Sequence, residues 1–221
     1  MRGFLTEAGI AATVAEADIV LNQGHRSFSK TNAYFTSEDE SLPGGDPRRR
    51  VYDRSNAFIP ADNFRPEGPL RTVFYAPGFD CFIRERLEEP EEGNGFPWHF
   101  DTNNFTVTLA LQNAERGGAF EYAPNIRDSV DEHFDAVRAV LDGSSDRVRR
   151  LELRPGDLQI FRGRYSLHRV APLAGARPRY VAIFSYMEEA GMVGRPERTK
   201  QLYGRVPCPF IWNGQVCALM R

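Results

Sequence analysis

The sequence predicts a mainly β protein, a jelly-roll barrel with flanking helices, on three observations. Its second half carries many short strands punctuated by Gly and Pro, helical periodicity is confined to a few segments, and one strand alternates cleanly. That strand runs from Phe105 to Leu111, with Phe105, Val107, Leu109 and Leu111 on one face and Thr106, Thr108 and Ala110 on the other.

The flanking elements follow from simpler signals. From Thr6 to about Asn22, Ile10, Val14, Ala17 and Leu21 recur at three- and four-residue steps, which predicts a helix with one buried face that Gly24 ends. Residues 24 to 68 are dense in Asn, Ser, Gly, Asp and Pro, and the run Leu42-Pro43-Gly44-Gly45-Asp46-Pro47 predicts a mobile connection. Arg71 to Ala76 reads as a strand, and Phe79, Phe82, Ile83 and Leu87 as a short helix. Ser129 to Glu132 has the form of a capping box, and Val130, Phe134, Val137 and Leu141 follow at helical spacing before Gly143. Short strands are then expected at Val148 to Leu153, Asp157 to Phe161, Ser166 to Val170 and Tyr180 to Tyr186.

At 221 residues, of which 41% are hydrophobic and 26% charged, the chain suits one well-buried domain. The division expected is an N-terminal helical and loop part over about 1–68, a jelly-roll core over about 69–190 and a tail over 191–221. The formal net charge of -2 provides no positive field for nucleic acid or an anionic membrane, so a small-molecule partner is expected. The basic run Arg48-Arg49-Arg50 reads as a solvated loop. Cys81, Cys208 and Cys217 are odd in number and widely spaced, which suits a reducing cytoplasm rather than a disulfide framework. No signal-peptide core or membrane span can be drawn.

Chemistry concentrates in Trp98-His99-Phe100-Asp101, just before the alternating strand. Positions two apart on extended backbone share a face, so His99 and Asp101 aim an imidazole and a carboxylate at one point. Two His and one carboxylate on one face of an octahedron hold Fe(II) with three positions left open. Of the other histidines, His25 in a loop and His133 beside a helix are flanking residues, whereas His168 lies in a late strand that a barrel can bring back to the pair. Arg179 then opens the apolar strand Tyr180-Val-Ala-Ile-Phe, where a guanidinium needs a partner and a carboxylate suits it best. Trp98 points away from His99 and reads as packing.

His99-x-Asp101, His168 and Arg179 at this spacing resemble the site of the 2-oxoglutarate/Fe(II) dioxygenase superfamily, whose fold is a double-stranded β-helix. The stretches Trp98 to Gln112, Gly117 to Pro124, Pro155 to Phe161 and Gly163 to Val170 further resemble the group of free amino-acid halogenases and their lysine-hydroxylase relatives, over about Asp46 to Arg205. The resemblance implies metal ligands His99, Asp101 and His168, with Fe(II), 2-oxoglutarate and dioxygen as cofactor and co-substrates. It also implies that Arg179 pairs with the distal carboxylate of 2-oxoglutarate. Oxidative decarboxylation to succinate and carbon dioxide would deliver one oxygen to an unactivated carbon of a free amino acid, a basic one such as lysine.

Halogenases of that group have a small residue where Asp101 stands, so hydroxylation is expected. The subgroup resemblance also offers Arg54 for the substrate carboxylate. Ser185, on the strand leaving Arg179, could hydrogen-bond a polar substrate. Two other readings remain, a prolyl-hydroxylase-like enzyme acting on peptides and a catalytically silent jelly-roll binding module.

Overall fold

The computed structural model describes residues 1–74, 88–89, 95–186, 196–206, 210–212 and 215–217. It opens with helix α1 (Glu7–Val20), where the Thr6 hydroxyl accepts the Gly9 N–H at 3.1 Å as an N-cap. A single 3-10 turn carries the chain to Gly24, so the helix lies where its periodicity places it.

The segment over 24 to 68 departs from the mobile connection expected of it. Strands β1 (His25–Thr31) and β2 (Tyr52–Phe58) pair antiparallel in full register, from His25 opposite Phe58 to Thr31 opposite Tyr52. Their connection is tied down by buried Asn32. Its Oδ1 accepts the N–H groups of Tyr34 and Thr36, and its Nδ2 donates to the Arg48 carbonyl at 2.7 Å. Loop composition predicted the absence of periodicity but not this network, because one buried amide can satisfy several turn N–H groups at once. Arg48 is held bidentately by Asp46, Arg49 donates to the Leu42 carbonyl at 3.0 Å, and Arg50 meets Asp142 at 2.6 Å, so each residue of the basic run has a partner within the chain.

Helix α2 (Pro69–Phe74) replaces the strand expected over Arg71 to Ala76. The cause is tertiary. The Glu16 carboxylate accepts the Leu70 N–H at 2.9 Å, and the Thr72 N–H closes onto the Gly68 carbonyl at 2.9 Å, so an apolar run short enough for either state is capped into a helix. Ala76 and the helix expected around Phe79 to Leu87 lie outside the described residues.

The short strand β3 (Glu88–Glu89) adds to β2. The barrel is completed by β4 (Phe96–His99), β5 (Phe105–Gln112), β6 (Arg116–Gly117), β7 (Phe120–Ala123), helix α3 (Phe134–Leu141), β8 (Arg149–Leu151), β9 (Leu158–Phe161), β10 (Leu167–Val170), β11 (Leu173–Ala174) and β12 (Tyr180–Tyr186). One sheet has the order β12-β5-β9 and the facing one β4-β10-β7-β8, all antiparallel. Two facing sheets of short antiparallel strands, with helices on their outer surfaces, form the expected jelly roll. Helix α4 (Pro196–Tyr203) packs Leu202 and Tyr203 against Phe58 and Phe96, and a hairpin β13 (Phe210–Trp212) and β14 (Gln215–Cys217) ends the described chain.

Helix α3 starts later than the capping box predicts. His133 precedes it in the left-handed region at φ 49°, and Glu132 pairs with Arg127 at 2.9 Å. Asp128 takes the N–H groups of Val130 and Asp131, so the acidic side chains make a turn rather than a cap.

Strand β5 explains how the core and the site are kept apart. Val107, Leu109 and Leu111 face outward beneath α1, packing with Ala17, Val20, Phe184 and Tyr180. Complete burial of a side chain such as Leu109, at 0% exposure, contributes about 2 kcal/mol. The alternate positions Thr106 and Thr108 are also buried but face the barrel interior. A second core, formed by Trp98, Phe100, Ala123, Ile126 and Leu167 with Val137 and Val140 of α3, covers the outside of the other sheet. Among the described residues no helix is long and apolar enough to cross a membrane.

Asp157 fastens the N-terminal segment to the barrel. Its carboxylate accepts the N–H of Gly3 at 2.9 Å and of Arg154 at 2.9 Å, and it pairs with Arg2. Burial alone would raise its pKa, but these donors outweigh burial and hold it below the usual carboxylate range. A pKa depressed by folding adds stability above the unfolded value and loses it as pH falls through the folded one. Asp157→Asn should therefore cost about 1–3 kcal/mol in urea denaturation at pH 7. The deficit should shrink as the pH falls below the ordinary aspartate value of 3.8.

Candidate metal centre

The two sheets bring His99, Asp101 and His168 together. His99 ends β4 and lies directly opposite His168 on β10, in a sheet register that sets the rings 4.1 Å apart. Asp101 follows two residues after His99, its N–H donating to the Gly163 carbonyl at 3.0 Å. The Asp101 Oδ1 then stands 3.7 Å from Nε2 of His99 and 3.6 Å from Nε2 of His168. This is the triplet the sequence predicts, and it is the group of potential metal ligands found among the described residues. His133 is half exposed beside Asp128 and Asp131, and His25 lies in β1 against Gly204, so neither joins it.

Each candidate ligand side chain is positioned by a partner behind it. Nδ1 of His99 meets the Pro97 carbonyl at 2.8 Å, and Nδ1 of His168 meets the Ser166 carbonyl at 2.8 Å. A carbonyl can only accept, so each Nδ1 carries a proton, and it is the Nε2 atom of each ring that is turned toward Asp101 and offers a lone pair when the ring is neutral. Asp101 Oδ2 accepts the Thr106 hydroxyl at 2.5 Å, which leaves Oδ1 for a metal, and Thr106 is held in turn by Asn103 Nδ2 at 2.7 Å. Gly163 is required here because a Cβ at that position would fall on the Asp101 carboxylate.

Electrostatics prepares the same set. Burial first, and then neighbouring His168, hold the His99 imidazole well below its ordinary pKa. Burial opposes ionisation of Asp101, but His168, His99 and the Thr106 hydroxyl outweigh it and hold that carboxyl below its usual range. At neutral pH His99 is neutral and Asp101 charged, the forms a metal needs. Two imidazoles and one carboxylate on one face, with ring tautomers fixed, fit ferrous iron as the sequence reading expects. The rings of Phe96 at 4.1 Å from His99 and Phe161 at 4.9 Å from His168 make an aromatic wall around the site.

The remaining sequence-predicted residues lie around this centre. Arg179 is 7% exposed and precedes β12, its Cδ beside Gly118, a glycine at φ 74° whose Cβ would crowd it. Arg54 is 2% exposed, with its guanidinium 5.3 Å from the Phe96 ring and one Nη donating to Ser27 Oγ at 3.1 Å. Its positive charge is felt at His99. The backbone of Ser185 lies opposite Thr106 in the β12–β5 register. Trp98 is buried in the outer core, with Arg169 stacked at 4.7 Å, and faces away from the centre as expected.

Sequence reasoning missed Thr106, Asn103, Gly163 and the pair Thr108 and Gln159, which meet at 3.5 Å across β5 and β9 inside the barrel. The alternation of β5 does mark Thr106 and Thr108 as sharing a face, but not that this face looks into the site. Thr106→Val keeps the shape and removes the hydroxyl. It should weaken Fe(II) binding by roughly 10- to 100-fold in an anaerobic titration while leaving the fold intact.

Fold and centre together define the class, a jelly roll of the kind found in 2-oxoglutarate/Fe(II) oxygenases. The structure is similar to the non-haem α-ketoglutarate-dependent carbocyclase SnoK from nogalamycin biosynthesis, with TM-score 0.58 and 17% identity over 85% of this chain and 78% of that one. It is also similar to AviO1 from Streptomyces viridochromogenes Tue57, with TM-score 0.55 and 15% identity over 86% of this chain and 89% of that one. A third likeness is to the epimerase SnoN in complex with Fe3+, α-ketoglutarate and nogalamycin RO, with TM-score 0.52 and 16% identity over 84% and 77% of the two chains. No curated protein matches the sequence. Residues 72–201 match the family described as Halogenase D, and the chain belongs to that family.

Proposed function

We propose that this protein is an Fe(II)- and 2-oxoglutarate-dependent hydroxylase of a free amino acid, with basic ones such as lysine the first to try. The observation that carries the reading is the convergence of two Nε2 lone pairs and the Asp101 carboxylate, each oriented from behind by a carbonyl or hydroxyl. His99, Asp101 and His168 would hold the iron, which when bound supplies oxygen activation coupled to decarboxylation of 2-oxoglutarate.

The chain's own residues do the rest. Arg179, buried at the start of β12, pairs with the distal carboxylate of 2-oxoglutarate and so fixes its orientation toward the centre. Phe96, Phe120 and Phe161 keep water from the reacting carbon, their rings lying 4.1 to 5.6 Å from those of the two histidines. Arg54, over the Phe96 ring, would offer a cation for the substrate carboxylate, and Ser185, whose backbone pairs with Thr106, would hydrogen-bond a polar group of the substrate.

Although the family bears a halogenase name, the reading for this chain is hydroxylation. Chlorination needs a coordination position open to halide, and at an iron held by His99, Asp101 and His168 the Asp101 carboxylate would take up that position. The test is incubation of the Fe(II)-loaded protein with 2-oxoglutarate, oxygen, chloride and the twenty free amino acids plus ornithine. Gain of one oxygen on an amino acid with matching succinate supports the reading, and a chlorinated product overturns it.

A further inference from the structure

The β1–β2 hairpin carries, on one buried face, polar groups that the candidate metal centre does not use. In its register Ser27 faces Asn56, Ser29 faces Arg54 and His25 faces Phe58, and directly opposed residues share a face. That face is the buried one, packed against Phe96 of β4 and against helix α4. Phe58 packs its ring 6.4 Å from Phe96, and Arg54 lies over the same Phe96, which touches His99. The opposite face carries exposed Lys30 and Asp53.

Asn56 is the anomaly in this row. It is 3% exposed, yet its Oδ1 is buried with no hydrogen-bond partner, and the hydroxyl of Ser29 two residues along the same face is likewise buried without one. A buried amide carbonyl without a donor is costly, and such groups are rare in folded proteins unless something outside the chain satisfies them. A buried acceptor two residues along the face from Arg54, which lies over the Phe96 ring beside His99, calls for a ligand that brings an N–H. Arg54 lies two residues away on the same face, so a ligand carrying an ammonium close to a carboxylate matches the row.

We infer that Asn56 is a specificity-determining residue whose side-chain carbonyl accepts a hydrogen bond from the α-ammonium of the substrate. This rests on the free amino-acid reading and names the group that would tell an amino acid from its deaminated analogue. The hydrogen bond is charge-assisted, so its loss costs more than that of a neutral pair. Because the acceptor lacks a partner in the ligand-free protein, removing it costs the fold little, as expected of a group held for binding rather than stability.

The experiment measures binding of the twenty amino acids plus ornithine by calorimetry to protein loaded anaerobically with Fe(II) and 2-oxoglutarate, as wild type, Asn56→Ala and Asn56→Asp. For any amino acid the wild type binds, Asn56→Ala should weaken binding about 10- to 100-fold. Asn56→Asp, which keeps the acceptor and adds charge, should restore it, and the thermal midpoint of Asn56→Ala should stay close to wild type. Its binding of the corresponding 2-deamino acid should match that of the wild type. An amino acid bound equally by wild type and Asn56→Ala would overturn the role of Asn56 and leave the amino-acid reading standing. A large drop in thermal midpoint without selective loss of the ammonium-bearing ligand would make Asn56 structural and overturn it too. No binding of any amino acid to the wild type would remove both.

Discussion

Asp101→Ala should abolish hydroxylation and lower Fe(II) affinity by more than the roughly 10- to 100-fold typical of losing an outer hydrogen-bond partner. The carboxylate is the one acidic group among the three candidate ligands, and Oδ1 sits 3.6 and 3.7 Å from the two Nε2 atoms. Its removal would leave only two imidazoles to hold a dication. The fold should survive, because the packing that positions the histidines belongs to the β4–β10 register and to the carbonyls of Pro97 and Ser166 rather than to Asp101. Anaerobic Fe(II) titration with circular dichroism on the same sample separates the two effects. Unchanged iron affinity in the variant would remove Asp101 from the ligand set.

Arg179→Ala carries the second large effect, and it falls on the co-substrate. If the distal carboxylate of 2-oxoglutarate pairs with this buried guanidinium, truncation should cost about 2–5 kcal/mol of binding, roughly 30- to 5,000-fold in Kd. Iron affinity in the absence of 2-oxoglutarate should be nearly unchanged, since a guanidinium has no lone pair to give a metal. Arg179→Lys should recover only part of the loss, because an ammonium cannot reproduce the bidentate fork. The readout is 2-oxoglutarate titration of the iron-loaded protein, and equal affinity in wild type and Arg179→Ala would rule out the pairing.

Much of the centre was legible before any coordinates because it is written in local chemistry. His99 and Asp101 sit two apart on extended backbone, a spacing that fixes their common direction whatever the rest of the chain does. His168 could be chosen over His25 and His133 because it alone fell in a strand expected from the sequence, although His25 too proves to lie on a strand, β1. The β5 alternation was equally plain, as were α1 and the later strands.

What escaped was set by contacts between distant residues. The strand expected over Arg71 to Ala76 is a helix through Phe74 because Glu16, more than fifty residues earlier, caps it. Residues 24 to 68 contain a hairpin because Asn32 gathers its loop and β2 supplies partners to β1. The helix after Ser129 starts late because Asp128 and Asp131 prefer the turn. Thr106 was visible as a position but not as a partner of Asp101, since which face of β5 looks inward depends on α1 covering the other.

The most direct test of the central claim is anaerobic reconstitution with Fe(II), followed by 2-oxoglutarate, read by visible absorption. The account predicts stoichiometric iron binding and a metal-to-ligand charge-transfer band that develops with 2-oxoglutarate and is lost in His168→Ala. A folded wild-type protein that binds no iron, or binds it without the band, would contradict it.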